Sequence, residues 1–479
     1  MEPEPKTYDL VVIGSGPAGE KGAAQAAFFG KSVAIIERMS VVGGASTNTG
    51  TLPSKTLRET SLFLSGYKNR DLSGVKLSIE GPVTVRDFMA HEQQVTADER
   101  LRVLENLSKH DVHLYRGEGS FLDPRTISVK QADGTTVLLN GKVVLIAVGS
   151  SPHRPPMFPF EDDRIYDSDE ILDLHGIPKT MLVVGGGVIG CEYACTFAML
   201  GVEVTVLEIR ERLLESLDRE VSDTLREQMG TIGIQFILGD CVSALDVKEV
   251  ITVTLKSGQV MTPETILVSA GRGGNTKSLG LENIGVNVDD RGRIRVNESY
   301  QTDVPHIYAA GDVIGSPALS STSMEQARVA MVHAFDLKYR GHVSPILPVG
   351  IYTIPEVSMA GETEEALKAK GIEYVSGKAT YASNARGHII GDAKGFLKLL
   401  FKLDDMTLVG VHVIGEQATE LVHVGLIALL LKQPAELFVQ TCFNYPTLTE
   451  LYKYAAYDAM GKRARALGIP GKSTASAAG

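Results

Sequence analysis

Two glycine-rich stretches carry the clearest chemistry in this 479-residue chain. One is Gly14-Ser-Gly16-Pro-Ala-Gly19, and the other is Gly185-Gly-Gly187-Val-Ile-Gly190. A pyrophosphate binds where a helix starts, because the free N–H groups and the dipole there favour negative charge. Gly14 permits a sharp bend, Gly16 lets the backbone approach the phosphates, and Gly19 lets the helix sit on its strand. Gly185, Gly187 and Gly190 repeat the arrangement. A ribose diol needs an acid about 20 residues further on, and Glu37 and Glu208 stand at that separation. Two complete turns, each with its acid, imply two dinucleotides held at once.

Each turn needs a strand before it and a helix after it. Tyr8 to Ile13 and Met181 to Val184 are apolar runs of strand length. Ala23, Ala24, Ala26 and Ala27 open a helix small enough to pack closely on a sheet, and Cys191 to Leu200 forms the second helix. The strands Ser32 to Ile36 and Val202 to Leu207 deliver the two acids. Charged helical stretches run on to residue 110, their charges coating solvated faces. Val112 to Phe121, Thr126 to Val129 and Thr136 to Leu139 read as short strands, Lys142 to Ser150 as a buried one, and Ile266 to Gly271 as another strand. Pro152, Pro155 and Pro156 read as a linker. After Val349, GIYTIPEVSMAG opens a third unit of mixed strands with helices at Glu420 to Lys432 and Leu448 to Lys462. The resulting class is α/β, with two Rossmann-like dinucleotide-binding domains and an α+β C-terminal domain.

The length exceeds one compact core, since cores stop growing at about 250 to 300 residues. A net charge of −11 argues against nucleic acid as a general partner, because neutralising phosphates needs a basic surface. The four cysteines, Cys191, Cys195, Cys241 and Cys442, lack metal-like clustering and read as reduced core residues. MEPEPKTYDL lacks a charged-then-apolar signal pattern, and the apolar run Val424 to Leu431 is too short to cross a bilayer, so the expected setting is soluble and cytoplasmic.

Between the turns lies GGASTNTGTLPSK, Gly43 to Lys55. Its frame resembles the active-site segment of the flavoprotein disulfide reductases, the family of dihydrolipoamide dehydrogenase, glutathione reductase and mercuric reductase. That family places a redox cysteine pair where this chain has Ser46 and Thr51. Neither hydroxyl can form a disulfide or carry two electrons. VLIAVGS, ending at Ser150, resembles the motif with which the family leaves its flavin domain, and Ile307-Tyr-Ala-Ala-Gly311-Asp312 resembles its second flavin motif. Near the C-terminus Phe443-Asn444-Tyr445-Pro446-Thr447 has Tyr445 in place of the family's proton-exchanging His, while Glu450 is kept. A Tyr titrates near pH 10 and is a poor base at neutrality; the alternative is that Tyr445 merely packs at a subunit contact.

The resemblance implies FAD at the first turn and a pyridine nucleotide at the second. It implies a flavin-binding domain over residues 1–155, returning at 276–345, a nucleotide domain over 156–275, an interface domain of a homodimer over 346–465 and a disordered tail over 466–479. Arg38, Gly43, Gly44, Ser46, Thr51, Lys55, Gly119, Gly149, Gly311, Asp312 and Leu319 would then border the flavin cofactor. Val188, Ile189, Glu208, Arg210 and Gly271 would border the nicotinamide nucleotide. Lys55 and Glu192 match the family's pair beside the flavin; the plain alternative for Lys55 is a surface lysine opening a helix. Arg210 and Arg212 are placed to meet an NADP 2′-phosphate, or else are solvated helix residues.

With no sulfur relay, electrons arriving from one nicotinamide have few exits, and return to a second nicotinamide needs no new site. The pieces T-x-P-S-K, G-V-I-G-C-E-Y-A, G-R-x-G-N-T and F-N-Y-P-T together resemble the soluble pyridine nucleotide transhydrogenases. The expected activity is therefore FAD-dependent hydride exchange between NADPH and NAD⁺. Its rivals are an NAD(P)H-dependent quinone or dye reductase, a dihydrolipoamide dehydrogenase-like flavoprotein without disulfide activity, and a flavin-binding sensor.

Overall fold

The computed structural model describes residues 4–66, 81, 83–339 and 341–468. The expected disordered tail lies outside the described residues from 469 onward, as does part of the charged helical stretch, 67–80 and 82. The chain forms two compact units: Met1–Thr60 with Gly81–Ile177 and Ile266–Val343, and Ser61–Glu80 with Pro178–Thr265 and Ser344–Gly479.

In the first unit the strand Lys6–Ile13 lies between Val33–Glu37 and Thr136–Ile146, parallel to both. Its central residues Leu10, Val11 and Val12 are wholly buried because both faces of a parallel sheet are covered. His113–Arg116 extends the sheet beyond Val33–Glu37, and Ile307–Ala309 adds a parallel strand on the far side of Thr136–Ile146. The helix Pro17–Phe28 packs through Ala23 and Ala26 into one core with Ala327, Ala330 and Met331 of the helix Ser320–Ala334. A side chain on Gly22 would come within 2.5 Å of Leu145 and 3.3 Å of Ala327, which is why this helix is built from small residues.

Where the sequence reads two strands, Thr136 to Leu139 and Lys142 to Ser150, the structure forms one strand and then turns. Its first half pairs antiparallel with Thr126–Lys130 and its second half serves the parallel sheet, so the pairing partner changes while the strand continues. Gly141 stays in the ladder opposite Tyr8. Conversely, Val112 to Phe121 divides at Gly117 into His113–Arg116 and Glu118–Phe121, which pair with different neighbours. Pro152 ends a short strand, Ser150–Pro152, antiparallel to Arg272–Gly274. That corrects the linker reading at this proline, and Pro is tolerated there because the strand has an open edge.

In the second unit Thr180–Val184, Glu203–Glu208 and Gln235–Leu238 run parallel, with the helix Val188–Met199 after the first of them. Five antiparallel strands, in the order Val349–Ile351, Val357–Gly361, Leu408–Ile414, Phe396–Lys402 and Tyr374–Thr380, build a separate sheet. The helices Ala418–Leu430 and Leu451–Ala466 share its core with Tyr381, Phe401, Phe438 and Tyr452. The latter helix is preceded by a 3₁₀ turn, Leu448–Glu450, so the helix read from Leu448 begins three residues later.

A buried ion cluster joins these layers. Lys398 Nζ lies 2.9 Å from Asp218, 2.9 Å from Glu220 and 2.5 Å from Glu364. Asp218 also caps the helix Arg219–Thr231 by accepting the Glu220 N–H at 3.2 Å. Burial opposes the charge on Lys398, but hydrogen bonds to Glu364 and Asp218 outweigh it and hold the ammonium above its ordinary range. Burial likewise opposes ionisation of Asp218, and Lys398 reverses it, leaving that carboxyl below the usual range. His412 is buried beside them; it shares Nε2 with the Glu362 carbonyl at 2.9 Å, and burial depresses its basicity.

Candidate active site

The first glycine turn has the geometry its residues require. Gly14 has φ +103°, and a Cβ there would stand 2.4 Å from the Ala147 carbonyl oxygen. A Cβ on Gly19 would fall 1.9 Å from the Gly14 carbonyl oxygen. The helix Pro17–Phe28 starts from Gly16 with no side-chain cap, which leaves its N-terminal end for a ligand. Glu37, delivered by the end of its strand, accepts the Ser15 N–H at 3.0 Å and the Ser15 hydroxyl at 2.6 Å on one oxygen, and the Met39 N–H at 2.8 Å on the other.

The second turn repeats this residue by residue. Gly185 has φ +112°, and the helix Val188–Met199 starts from Gly187, again without a side-chain cap. Glu208 accepts the Gly186 N–H at 2.7 Å and the Arg210 N–H at 3.0 Å. A carboxylate offers about four acceptor positions, so both acids keep capacity for a ribose hydroxyl after these bonds are made. Both sockets therefore fit a dinucleotide.

The Gly43 to Lys55 segment is seated on the first turn. Gly43 and Gly44 adopt φ +99° and +58°, and the Gly43 N–H donates to the Ser15 carbonyl at 3.2 Å. A Cβ on Gly44 would come 2.7 Å from Gly16 Cα, so this close approach needs glycine. Asn48 braces the bend by donating to the Val42 and Gly44 carbonyls at 2.9 and 2.8 Å, and Arg100 holds the Asn48 carbonyl oxygen at 2.7 Å. Ser46 and Thr51 are brought together through a third hydroxyl: Ser320 Oγ lies 2.8 Å from Ser46 Oγ and 3.1 Å from Thr51 Oγ1. Lys55 sits half-buried in the first turns of the helix Thr51–Leu64, with Nζ 3.2 Å from Ser54 Oγ.

Around the other predicted flavin residues, Gly149 has φ +67° and its carbonyl accepts the Asn275 N–H at 3.1 Å. Asp312 accepts the Ser150 hydroxyl at 2.9 Å, and Ser150 Oγ accepts from Arg272 Nε at 2.9 Å. The Gly311 N–H donates to Gln326 at 2.9 Å. Leu319 precedes the helix Ser320–Ala334, and its carbonyl takes the Ser323 N–H at 2.8 Å. Gly119 lies in a strand where a Cβ would touch Ile36 at 3.3 Å, and Arg38 is exposed.

Within the second unit, Glu192 is buried on the helix Val188–Met199, and one carboxylate oxygen accepts the Tyr352 N–H at 2.9 Å. Val188 is exposed, Ile189 half-buried and Gly190 buried. Arg210 is exposed and 3.5 Å from Glu215, whereas Arg212 donates one nitrogen to the Glu215 carbonyl at 2.7 Å and has its Nη1 buried without an acceptor. Gly271, in the first unit, is exposed with φ +100°. Tyr445 is 75% exposed and Glu450 is half-buried just before the helix Leu451–Ala466.

Two positioning residues escape a sequence reading: Ser15 is visible only as the variable letter inside the first turn, and Ser320 carries no signal beyond the serine-rich start of its helix. Arg272 and Asn275 are the Arg and Asn of the G-R-x-G-N-T piece, which gives no sign of their partners. The cysteines also need a correction: Cys191 and Cys195 are wholly buried, but Cys241 is half-buried and Cys442 exposed, and none of the four forms a disulfide. Burial in apolar surroundings pushes the Cys191 thiol well up. Among the described residues no helix is long and apolar enough to cross a membrane.

Comparison with known proteins agrees with this geometry. The chain is 47% identical to the soluble pyridine nucleotide transhydrogenase of Mycobacterium tuberculosis over 95% of its own length and 98% of the relative's. It is 39% identical to the enzyme of the same name from Yersinia pestis, over the same shares. Among solved structures, LpdA from Mycobacterium tuberculosis is similar at a TM-score of 0.87 and 25% identity, covering 94% of this chain and 99% of that one. The HOCl-induced flavoprotein disulfide reductase RclA from Escherichia coli shares the fold, with a TM-score of 0.84 at 24% identity over 94% and 99%. Residues 8–334 match the description "pyridine nucleotide-disulphide oxidoreductase" and residues 347–456 its dimerisation domain. By the two acid-backed turns, the fold around them and these matches, the chain belongs to the pyridine nucleotide-disulphide oxidoreductase family.

Proposed function

We propose that this protein is an FAD-dependent transhydrogenase that moves hydride between NADPH and NAD⁺, with both nucleotides using the Gly185 socket in turn. The observation that carries the reading is the hydroxyl trio Ser46, Ser320 and Thr51, which occupies the place where the family resemblance would put a redox cysteine pair. Oxygen cannot relay two electrons as a disulfide does. Relatives named for transhydrogenation, at 39% and 47% identity over 95% of the chain, support the same reading.

Bound FAD would supply the two-electron chemistry by which hydride passes from a reduced to an oxidised nicotinamide. The protein's own residues hold and polarise. The Gly14 turn and the uncapped helix start behind Gly16 would hold the pyrophosphate, Glu37 would take a ribose hydroxyl, and Asp312 would take a hydroxyl of the sugar chain. Lys55 supplies the positive charge that stabilises added electron density, and the family resemblance makes Glu192 the acid of the same reaction. Glu208 favours a free 2′-hydroxyl, while Arg210 and Arg212 meet a 2′-phosphate. In this reading residues 1–155 and 276–345 serve FAD, 156–275 the nicotinamide nucleotide, and 346–465 the contact of a homodimer in the cytoplasm. An exposed apolar groove lined by Val424, Ile427, Leu431 and Leu437 supports that last assignment.

The test is transfer of label from 4-labelled NADPH to NAD⁺ by the purified holoenzyme. Label in NADH supports the reading. Its absence, with quinone turnover outpacing nucleotide exchange, would replace it by the quinone-reductase alternative.

A further inference from the structure

Three hydroxyls meet where Ser320 Oγ lies 2.8 Å from Ser46 Oγ and 3.1 Å from Thr51 Oγ1. Each hydroxyl has one proton to donate, and the trio makes two mutual hydrogen bonds. One proton must therefore point out of the trio. Thr51 is the exposed member, while Ser46 and Ser320 are half-buried, so the outward proton sits most readily on Thr51. That arrangement runs Ser46 to Ser320 to Thr51, each donating to the next; the exposure of Thr51 sets its direction, and Ser320 is the link that passes it on.

We propose that Ser320 is a positioning residue for the flavin: it orients the Thr51 hydroxyl as an outward donor that stabilises the electron-rich form of the cofactor. The proposal rests on the reading that Thr51 faces bound FAD. The helix carrying Ser320 is fixed independently, through Ala327, Ala330 and Met331 in the core and through Gln326 at the Gly311 N–H. The hydroxyl is thereby held by a rigid element, and Thr51, which opens its own helix, is aligned from across the fold.

The test uses the FAD-loaded full-length protein and reads the flavin midpoint potential and visible spectrum. Ser320→Ala should lower the equilibrium constant for flavin reduction threefold to tenfold, which is about 15 to 30 mV for a two-electron couple. Thr51→Val should shift it to a similar extent, and the double variant should shift it no further than the larger single, because both remove one donor. Ser320→Thr keeps the hydroxyl and should retain the parent potential. Unchanged potential in both Ser320→Ala and Thr51→Val overturns the proposal, as do additive shifts or a Ser320→Thr shift as large as that of alanine. If Ser320→Ala fails to keep FAD, the Thr51→Val shift decides alone. Failure of label transfer between nucleotides, by contrast, leaves these spectroscopic outcomes intact and touches only the transhydrogenase reading.

Discussion

Replacing Lys398 with Met removes the ammonium bonded to Asp218 at 2.9 Å, and the consequence is large. Asp218 is 1% exposed and would keep only the Glu220 and Glu364 N–H groups, each at 3.2 Å. Glu220 retains Lys378 at 2.7 Å and Glu364 retains the Tyr374 hydroxyl at 2.7 Å, and both reach solvent. Breaking a buried pair by removing one partner costs about 3 to 5 kcal/mol, and the solvent access of two of the three acids favours the lower end. For a unit of this size about 3 kcal/mol corresponds to a midpoint lower by about 6 to 12 °C. The effect also has a definite pH dependence. Carboxyls held low by Lys398 contribute stability that is fully present above their unfolded values near 4 and is lost as pH falls below these toward the lowered folded values, so the gap between parent and variant must close on acidification below about pH 4. His412 adds an earlier step. Its depressed basicity is due first to burial and in part to Lys398, so in the variant it takes a proton more easily on acidification and partly compensates Asp218. Thermal unfolding of the FAD-loaded proteins by circular dichroism between pH 3 and 8 measures both features. A variant midpoint within about 1 °C of the parent at pH 7, or a gap that is as wide at pH 3 as at pH 7, would refute the claim that this cluster holds the second unit together.

Gly19→Ala places a methyl 1.9 Å from the Gly14 carbonyl oxygen and should weaken flavin retention about tenfold or more, read as the ratio of flavin to protein absorbance after gel filtration. Glu208→Ala should raise the KM for NADH more than that for NADPH, by about tenfold for a charged acceptor lost, and Arg210→Ala should do the opposite; equal effects on the two nucleotides would remove the specificity argument. Thiol titration of the native protein should find Cys442 reacting first and Cys241 more slowly, with Cys191 and Cys195 reacting only in denaturant, since both are wholly buried. Rapid reaction of all four without denaturant would contradict that burial.

The parts of this protein that a sequence displays are those in which one residue type alone satisfies the backbone. Gly14, Gly19 and Gly44 are legible because a Cβ at each would collide with backbone atoms at 2.4, 1.9 and 2.7 Å. Glu37 and Glu208 are legible by their separation from those turns. Strand limits were harder to read: Asn140-Gly141 looks like a turn, yet Gly141 remains paired because strands on either side continue through it. Contacts made by ordinary polar residues over long separations left no local trace. Ser320 meets Ser46 and Thr51 across 274 and 269 residues, and Lys398 meets Asp218 across 180. Nothing within any window of a few turns specifies those pairings; they come from the order in which the sheets assemble.

The near-identity of the two acid-backed turns bears on inhibitor design. An adenosine analogue that mimics only the diol and the diphosphate would meet the same acid and the same helix start in either socket, and so would distribute between them. Discrimination has to be sought in the flanking positions. Ser15 spends its hydroxyl and N–H on Glu37, which with Met39 leaves that acid about one vacant lone pair, whereas Glu208 keeps about two. A compound presenting paired donors to the carboxylate, with an anionic group directed toward the Arg210 side, should choose the Gly185 socket over the Gly14 socket.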